Sequence, residues 1–305
     1  VTSERSCVVW IYLPGGGGPV ACGALTVDQV GRNLRAEFTY GPRYLERPDA
    51  MAIDPLNLPV RQATFTAEHL FGAFRDAAPD SWGRKVLEMR HAALRHNEFG
   101  ELPELEYLLR SAGDRVGALA FTESPATPPT LHTRTADRHH PIHYLSAKTL
   151  LRQHGETEVG SYPAFADELR RWSDRPVDDC HELFGRMLFN IATGNRDDHA
   201  KNHGVLHAGG RTYRLAPAFD LVPIPQVATT SRQAMIVGLH GQDSNLANAL
   251  TAAAHFMLSA DDARAIARRV AKVVSEWRRY FAAASVSDAD MTRVESCFER
   301  ARISC

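Results

Sequence analysis

Lysine is nearly absent from this 305-residue chain: only Lys85, Lys148, Lys201 and Lys272 occur, and arginine supplies the rest of the positive charge. Chemistry that needs a compact, mobile ammonium therefore has few candidates. Cysteine is sparse too. Cys7, Cys22, Cys180, Cys297 and Cys305 are odd in number and show no CxxC pairing, which favours free thiols in a reducing compartment over a disulfide framework. A formal net charge of −1 speaks against general electrostatic capture of nucleic acid or an anionic membrane. No apolar run is long enough to span a bilayer, and no charged start with an apolar core marks a signal peptide. The expectation is a cytoplasmic protein with no membrane and no direct nucleic-acid partner.

The length allows two domains or lobes. The first third is β-rich: "CVVWIYLP" and "VACGALTV" are short apolar runs separated by Gly15–Gly18 and Pro19, a hairpin signal, and "RNLRAEFTYG" alternates as a further strand. "PDAMAIDPLNLPV" is broken by proline. From Ala67 the period becomes helical, with "SWGRKVLEMRHAALRH" and "LPELEYLLRSA" as helices and "DRVGALAF" as a strand. Residues 122–143 crowd proline, threonine and histidine without a period and read as a linker. After it the chain turns mostly helical. "YPAFADELRRW" is one helix. In "PVDDCHELFGRMLFNIATG", Pro176 suits a first turn, and Val177, Cys180, Leu183, Phe184, Met187, Leu188 and Ile191 share a face. Ser259 with Asp262 resembles a capping box, and Ile266, Val270, Val273, Trp277 and Phe281 read as one continuing stripe. Ser287 opens a last helix. The expected division is therefore 1–121, β-rich with following helices; 122–143, linker; and 144–305, helical.

One loop concentrates chemistry. "FNIATGNRDDHAKNHGVL", residues 189–206, follows directly on an apolar helix and packs two aspartates, two histidines, a lysine and several amides. Asp197 and Asn202 stand five apart, as in a protein-kinase catalytic loop, where the aspartate orients the attacking hydroxyl and the asparagine holds a metal. Such a site needs a second acid after a β-ribbon, and "GVLHAGGRTYRLAPAFDLVP" supplies strand, Gly-Gly turn, strand and Asp220. Lys201 is placed to offset phosphoryl charge; His199 is placed to orient Asp197 or cap the loop. A rival reading is a metal-dependent hydrolase: His199, His203 and His207 recur every four residues, which on a helix would line one face. The glutamate of an HExxH motif is missing, and Asn202, Gly204 and Gly209-Gly210 oppose a continuous helix. The bland reading is a solvated loop.

"GNRDDHAKNHGVL" followed by "RLAPAFDLVPIP" resembles the kinase lobe of HipA-family toxins, the serine/threonine kinases of bacterial type II toxin–antitoxin modules. "DAAPDSWGRKVL", "LLRSAGDRVGALAF", "HYLSAKTLL" and "ELFGRMLFN" resemble further segments of that family, so the likeness runs from about Asp76 to Pro225. It implies an α+β, protein-kinase-like fold with a small β-rich N-terminal subdomain and a mostly α-helical C-terminal lobe. It implies Asp197 as the catalytic aspartate with His199 and Lys201 as loop partners, and Asn202 and Asp220 as the pair that holds Mg2+. Asp198, between them, is expected to be structural. ATP as cofactor, a translation-related protein substrate and a small DNA-binding antitoxin (HipB-like) are also implied.

The family's glycine loop and strand lysine should lie between the Gly-Ala-Leu segment and "LSAKTLL", where only residues 122–143 are found. No lysine precedes Lys85, so Gly15–Gly18 reads as a hairpin turn and not as a phosphate loop. Much of the ATP-binding lobe is therefore expected to be missing, and phosphoryl transfer by this chain alone is expected to be feeble or absent. The alternative from another class is a pseudokinase, a binding module that docks an antitoxin or a target.

Overall fold

A computed structural model of the chain describes residues 5–31, 33–94, 100–111, 115–129, 140–155, 158–225 and 232–299. The chain divides into two compact units, Val1–Leu145 with Gly209–Arg211, and Ser146–Ala208 with Thr212–Cys305.

In the first unit, strands β1 (Arg5–Ile11), β2 (Val20–Val30), β3 (Asn33–Tyr40), β4 (Thr64–Ala67) and β5 (Leu119–Thr122) form an antiparallel sheet of order β4-β3-β2-β1-β5. The Gly15–Gly18 run joins β1 to β2 as expected. Gly15, Gly16 and Gly17 all take positive φ, where a side chain would be strained. Alternation directs Ala36, Phe38 and Tyr40 of β3 into the core. Gly23 on β2 answers a close approach: a Cβ there would sit 2.4 Å from the carbonyl oxygen of Thr39. The proline-broken segment after β3 is held by tyrosines. Tyr40 Oη donates to the Leu58 carbonyl (2.6 Å) and accepts from Ile53 N, while Tyr44 Oη donates to the Met51 carbonyl (2.8 Å). Helices α1 (Pro42–Leu45), α2 (Gly72–Asp76), α3 (Ser81–Leu94) and α4 (Glu104–Arg110) complete this unit. Strand β4 lay outside the sequence reading, its four residues being too few for a period to show.

Within the expected linker, residues 123–129 and 140–143 carry no helix or strand, and 130–139 lie outside the described residues. Strand β6 (Tyr144–Ser146) leads into the second unit and belongs to a three-stranded sheet, β6-β7-β8, with β7 (Gly204–Gly209) and β8 (Thr212–Leu215). The helices are α5 (Ala147–Leu150), α6 (Tyr162–Trp172), α7 (Pro176–Thr193), α8 (Leu246–Thr251), α9 (Ala260–Ser275), α10 (Trp277–Ala283) and α11 (Asp288–Glu299). Helix α7 is the core of this unit: Cys180, Leu183, Phe184, Met187, Leu188 and Ile191 are all fully buried. Val177, grouped with them by period, is exposed, because the first turn projects beyond the packed face.

The stripe read as continuous from Ile266 to Phe281 is broken. Helix α9 ends at Ser275, Glu276 caps both it and α10, and Val273 is exposed while Val274 is buried. Trp277 and Phe281 instead pack on Phe298 of α11, with Trp277 stacked at 4.5 Å. No helix among the described residues is long and apolar enough to cross a membrane.

Candidate phosphoryl-transfer site

Helix α7 ends where the loop begins, and the ending is chemically specified. Gly194 adopts φ +67, the left-handed conformation that closes a helix, with Gly194 N donating to the Ile191 carbonyl and Asn195 N to the Asn190 carbonyl at 3.0 Å. The chain then runs extended, so neighbouring side chains point to opposite sides: Asp197 and His199 are exposed, Asp198 and Ala200 buried. A 3-10 turn over Ala200–Asn202 bends it into β7.

That alternation gives two adjacent aspartates opposite fates. Asp198 Oδ1 lies 2.8 Å from His203 Nε2, both side chains only 1% exposed, and the Tyr162 and Phe165 rings pack against the imidazole. Asp198 is thus structural, as expected, and the partner that makes it so is His203. Asp197 faces outward. Its carbonyl accepts from His199 N (2.9 Å) and from Asn202 Nδ2 (3.2 Å), and its carboxylate makes no hydrogen bond or ion pair among the described residues. Committing the Asn202 nitrogen to Asp197 orients the buried amide and leaves Oδ1 as the free acceptor.

The second acid arrives by the β7–β8 hairpin, and α7 fixes where it lands. Asp179 takes Arg214 in a bidentate pair (2.9 and 3.1 Å) and also accepts from Leu215 N (3.0 Å). Burial pushes the Asp179 carboxyl up, but the hydrogen bonds from Arg214, Ser173 and Leu215 outweigh it and hold it below the usual carboxylate range. Two turns further along α7, Arg186 Nη1 donates to the Ala216 carbonyl (2.8 Å). Asn195 Nδ2 then donates to the Asp220 carbonyl (3.2 Å). Asp220 stands at φ +57, a conformation costing a non-glycine residue about 1 kcal/mol, and its carboxylate is exposed and without a partner among the described residues. The Asp220 carboxylate and the Asn202 amide oxygen are both hard oxygen donors, the type that suits Mg2+.

The other expected residues fare differently. Lys201 is exposed on the 3-10 turn. The His199 side chain makes no hydrogen bond among the described residues; its backbone stands at the start of the 3-10 turn, with N donating to the Asp197 carbonyl (2.9 Å) and its carbonyl accepting from Asn202 N (2.9 Å). The histidine-metal reading fails on geometry. His199 is on the loop, His203 is buried against Asp198, and His207 lies on β7 with its ring 5.6 Å from Tyr213, so they share no helix face. No group of three His, Cys, Asp or Glu residues that could hold a metal occurs among the described residues. The sequence reading missed Asn195, Asn190, Asp179 and Arg186. Their only signal was polarity on an otherwise apolar helix and its cap.

All four lysines are on helices or a 3-10 turn: Lys85 on α3, Lys148 on α5, Lys201 after the loop and Lys272 on α9. Lys148 is buried, with Nζ donating to the Gly155 carbonyl at 3.0 Å.

An apolar helix, a polar loop with Asp and Asn five apart, a β-hairpin and a following acid thus succeed one another in the second unit. The HipA-like C-terminal domain family matches residues 68–277, and the chain belongs to that family. Among solved structures it is similar to the Shewanella oneidensis MR-1 toxin–antitoxin complex of HipA, HipB and operator DNA. The TM-score is 0.63 at 12% identity, covering 96% of this chain and 95% of that one, a likeness of fold. No curated protein matches the sequence.

Proposed function

We propose that this chain is a HipA-type protein serine/threonine kinase by design, with Asp197 orienting an acceptor hydroxyl, Asn202 Oδ1 and Asp220 holding Mg2+, and Lys201 offsetting charge on the transferred group. The observation that carries the reading is selective exposure. In a region where Asp179, Asp198, Asn190 and Asn195 are all buried and hydrogen-bonded, the carboxylates of Asp197 and Asp220 are left outward, without a partner among the described residues. When bound, Mg2+ would neutralise charge on the nucleotide phosphates. The protein's own share is to hold Asp197 on a loop closed by Asn202 and to keep Asp220 on a strained, tethered backbone.

No lysine lies on a strand, so the positioning of ATP phosphates that a kinase draws from a glycine loop and strand lysine has no supplier among the described residues. Turnover by this chain alone is accordingly expected to be very slow. That same observation favours a second reading, a module that docks a DNA-binding antitoxin of the kind bound to the Shewanella HipA, or a translation-related protein target, without catalysis. Calorimetry and thermal melts with Mg2+ and ATP separate the two. A Mg2+-dependent nucleotide signal lost in Asp220→Asn supports the kinase site. Antitoxin binding without any nucleotide signal supports the module. Brisk target phosphorylation that disappears in Asp197→Asn would contradict the slow-turnover expectation.

A further inference from the structure

The catalytic loop and the segment bearing Asp220 come from sequence positions 25 residues apart, and a single side-chain nitrogen spans them. Asn195 is 2% exposed, and its Nδ2 donates both to Asn190 Oδ1 (3.1 Å) and to the Asp220 carbonyl (3.2 Å). Its backbone N is held by the Asn190 carbonyl (3.0 Å). Behind it, Asn190 is fully buried and donates through its own Nδ2 to Tyr162 Oη (3.2 Å). The string therefore runs from α6, through α7 and its cap, to the backbone of Asp220.

We infer that Asn195 is a positioning residue that locks Asp220 in its left-handed conformation and so sets the metal-binding carboxylate in register with Asp197 and Asn202. The inference rests on the site reading above for its metal, but not for its mechanics. The chemistry demands this residue type: one nitrogen must carry two hydrogens at a short, rigid reach. Aspartate has no donor there, serine has one, and glutamine is a methylene longer. Asp220 is itself exposed, so once released its carbonyl can turn to water and the backbone can leave φ +57. Groups that orient a metal ligand from behind typically change metal affinity by about 10–100-fold when removed.

The test uses Mn2+ as the probe, followed by electron paramagnetic resonance, together with amide order parameters at Asp220 and Leu221. These are compared in wild type, Asn195→Ala and the isosteric Asn195→Asp, which guards against a packing defect in the alanine variant. In both variants the order parameters at Asp220 and Leu221 are expected to fall from near about 0.85 towards about 0.6 or lower, with α6 and α7 unchanged. Mn2+ affinity is expected to weaken by about 10–100-fold at a temperature where both variants remain folded. Unchanged order parameters overturn the inference whatever the metal does, as does wild-type Mn2+ affinity in both variants. If wild type takes no Mn2+, or Asp220→Asn keeps full affinity, the metal-site reading fails, and the order parameters still decide whether Asn195 holds Asp220.

Discussion

Adjacent Asp197 and Asp198 have the same chemistry and opposite roles, because an extended chain sends one to solvent and the other against His203. Asp179 shows the energetic side of the same point. It is 2% exposed and accepts from four donor groups, Arg214 Nε and Nη2, Leu215 N and Ser173 Oγ; three of those donors hold β8 and one holds the turn before α7. Asp179→Asn weakens the charge-assisted bonds from these four donor groups around a buried carboxylate, and is expected to destabilise the protein by about 2–3 kcal/mol at neutral pH. The folded-state carboxyl titrates below its unfolded value of 3.8. Its contribution is therefore fully present above that value and drains away as pH falls through the folded pKa. Urea melts at pH 7 and pH 3 check this: the gap between wild type and variant should shrink at pH 3, and a gap that stays constant would contradict the assignment.

Elements were legible where a period or a cap announced them. Helix α6 runs over "YPAFADELRRW" as read, and Ser259 Oγ accepts from Asp262 N at the start of α9 as the capping-box pattern implied. What did not show was where one amphipathic helix becomes two, because a break at Glu276 leaves the spacing of Val273, Trp277 and Phe281 nearly intact. Nor did the tight turn ahead of α8, whose demand is steric: a Cβ on Gly238 would sit 2.2 Å from the Asn248 carbonyl oxygen and 2.5 Å from Thr251 Oγ1. Gly238→Ala is expected to lower stability by about 2 kcal/mol through forced displacement of backbone. Chemical denaturation measures it, and a loss under 0.5 kcal/mol, the scatter of neutral surface changes, would show the turn gives way.

At the scale of the whole molecule, the four described cysteines, Cys7, Cys22, Cys180 and Cys297, are buried and form no disulfide. Burial pushes the Cys7 thiol up to about 12 and the Cys180 thiol up to about 11 despite nearby arginines, so neither forms thiolate near neutrality. In native protein at pH 8 none of Cys7, Cys22, Cys180 and Cys297 is expected to react within minutes with an aromatic disulfide, against all of them in denaturant. Two or more fast thiols in the native state would mean that these cores open readily. The β-rich first unit and helical second unit are consistent with an α+β, HipA-like chain, and the family match covers residues of both.

Local sequence determined the longer strands, the helix caps at Ser259 and Gly194, and the order helix, loop, hairpin, acid, because hydrophobic period, turn chemistry and motif spacing are short-range properties. It also named Asp197, Asn202 and Asp220 as candidates. Tertiary structure decided what each polar residue contacts: that His203 meets Asp198 on the buried side of the loop, that Asn202 turns its nitrogen to Asp197, and that α7 and the residues just after it tether the Asp220 segment through Asp179, Arg186 and Asn195. Those contacts join residues up to 36 positions apart, and a hydrogen bond depends on distance and burial, which no spacing along the chain encodes.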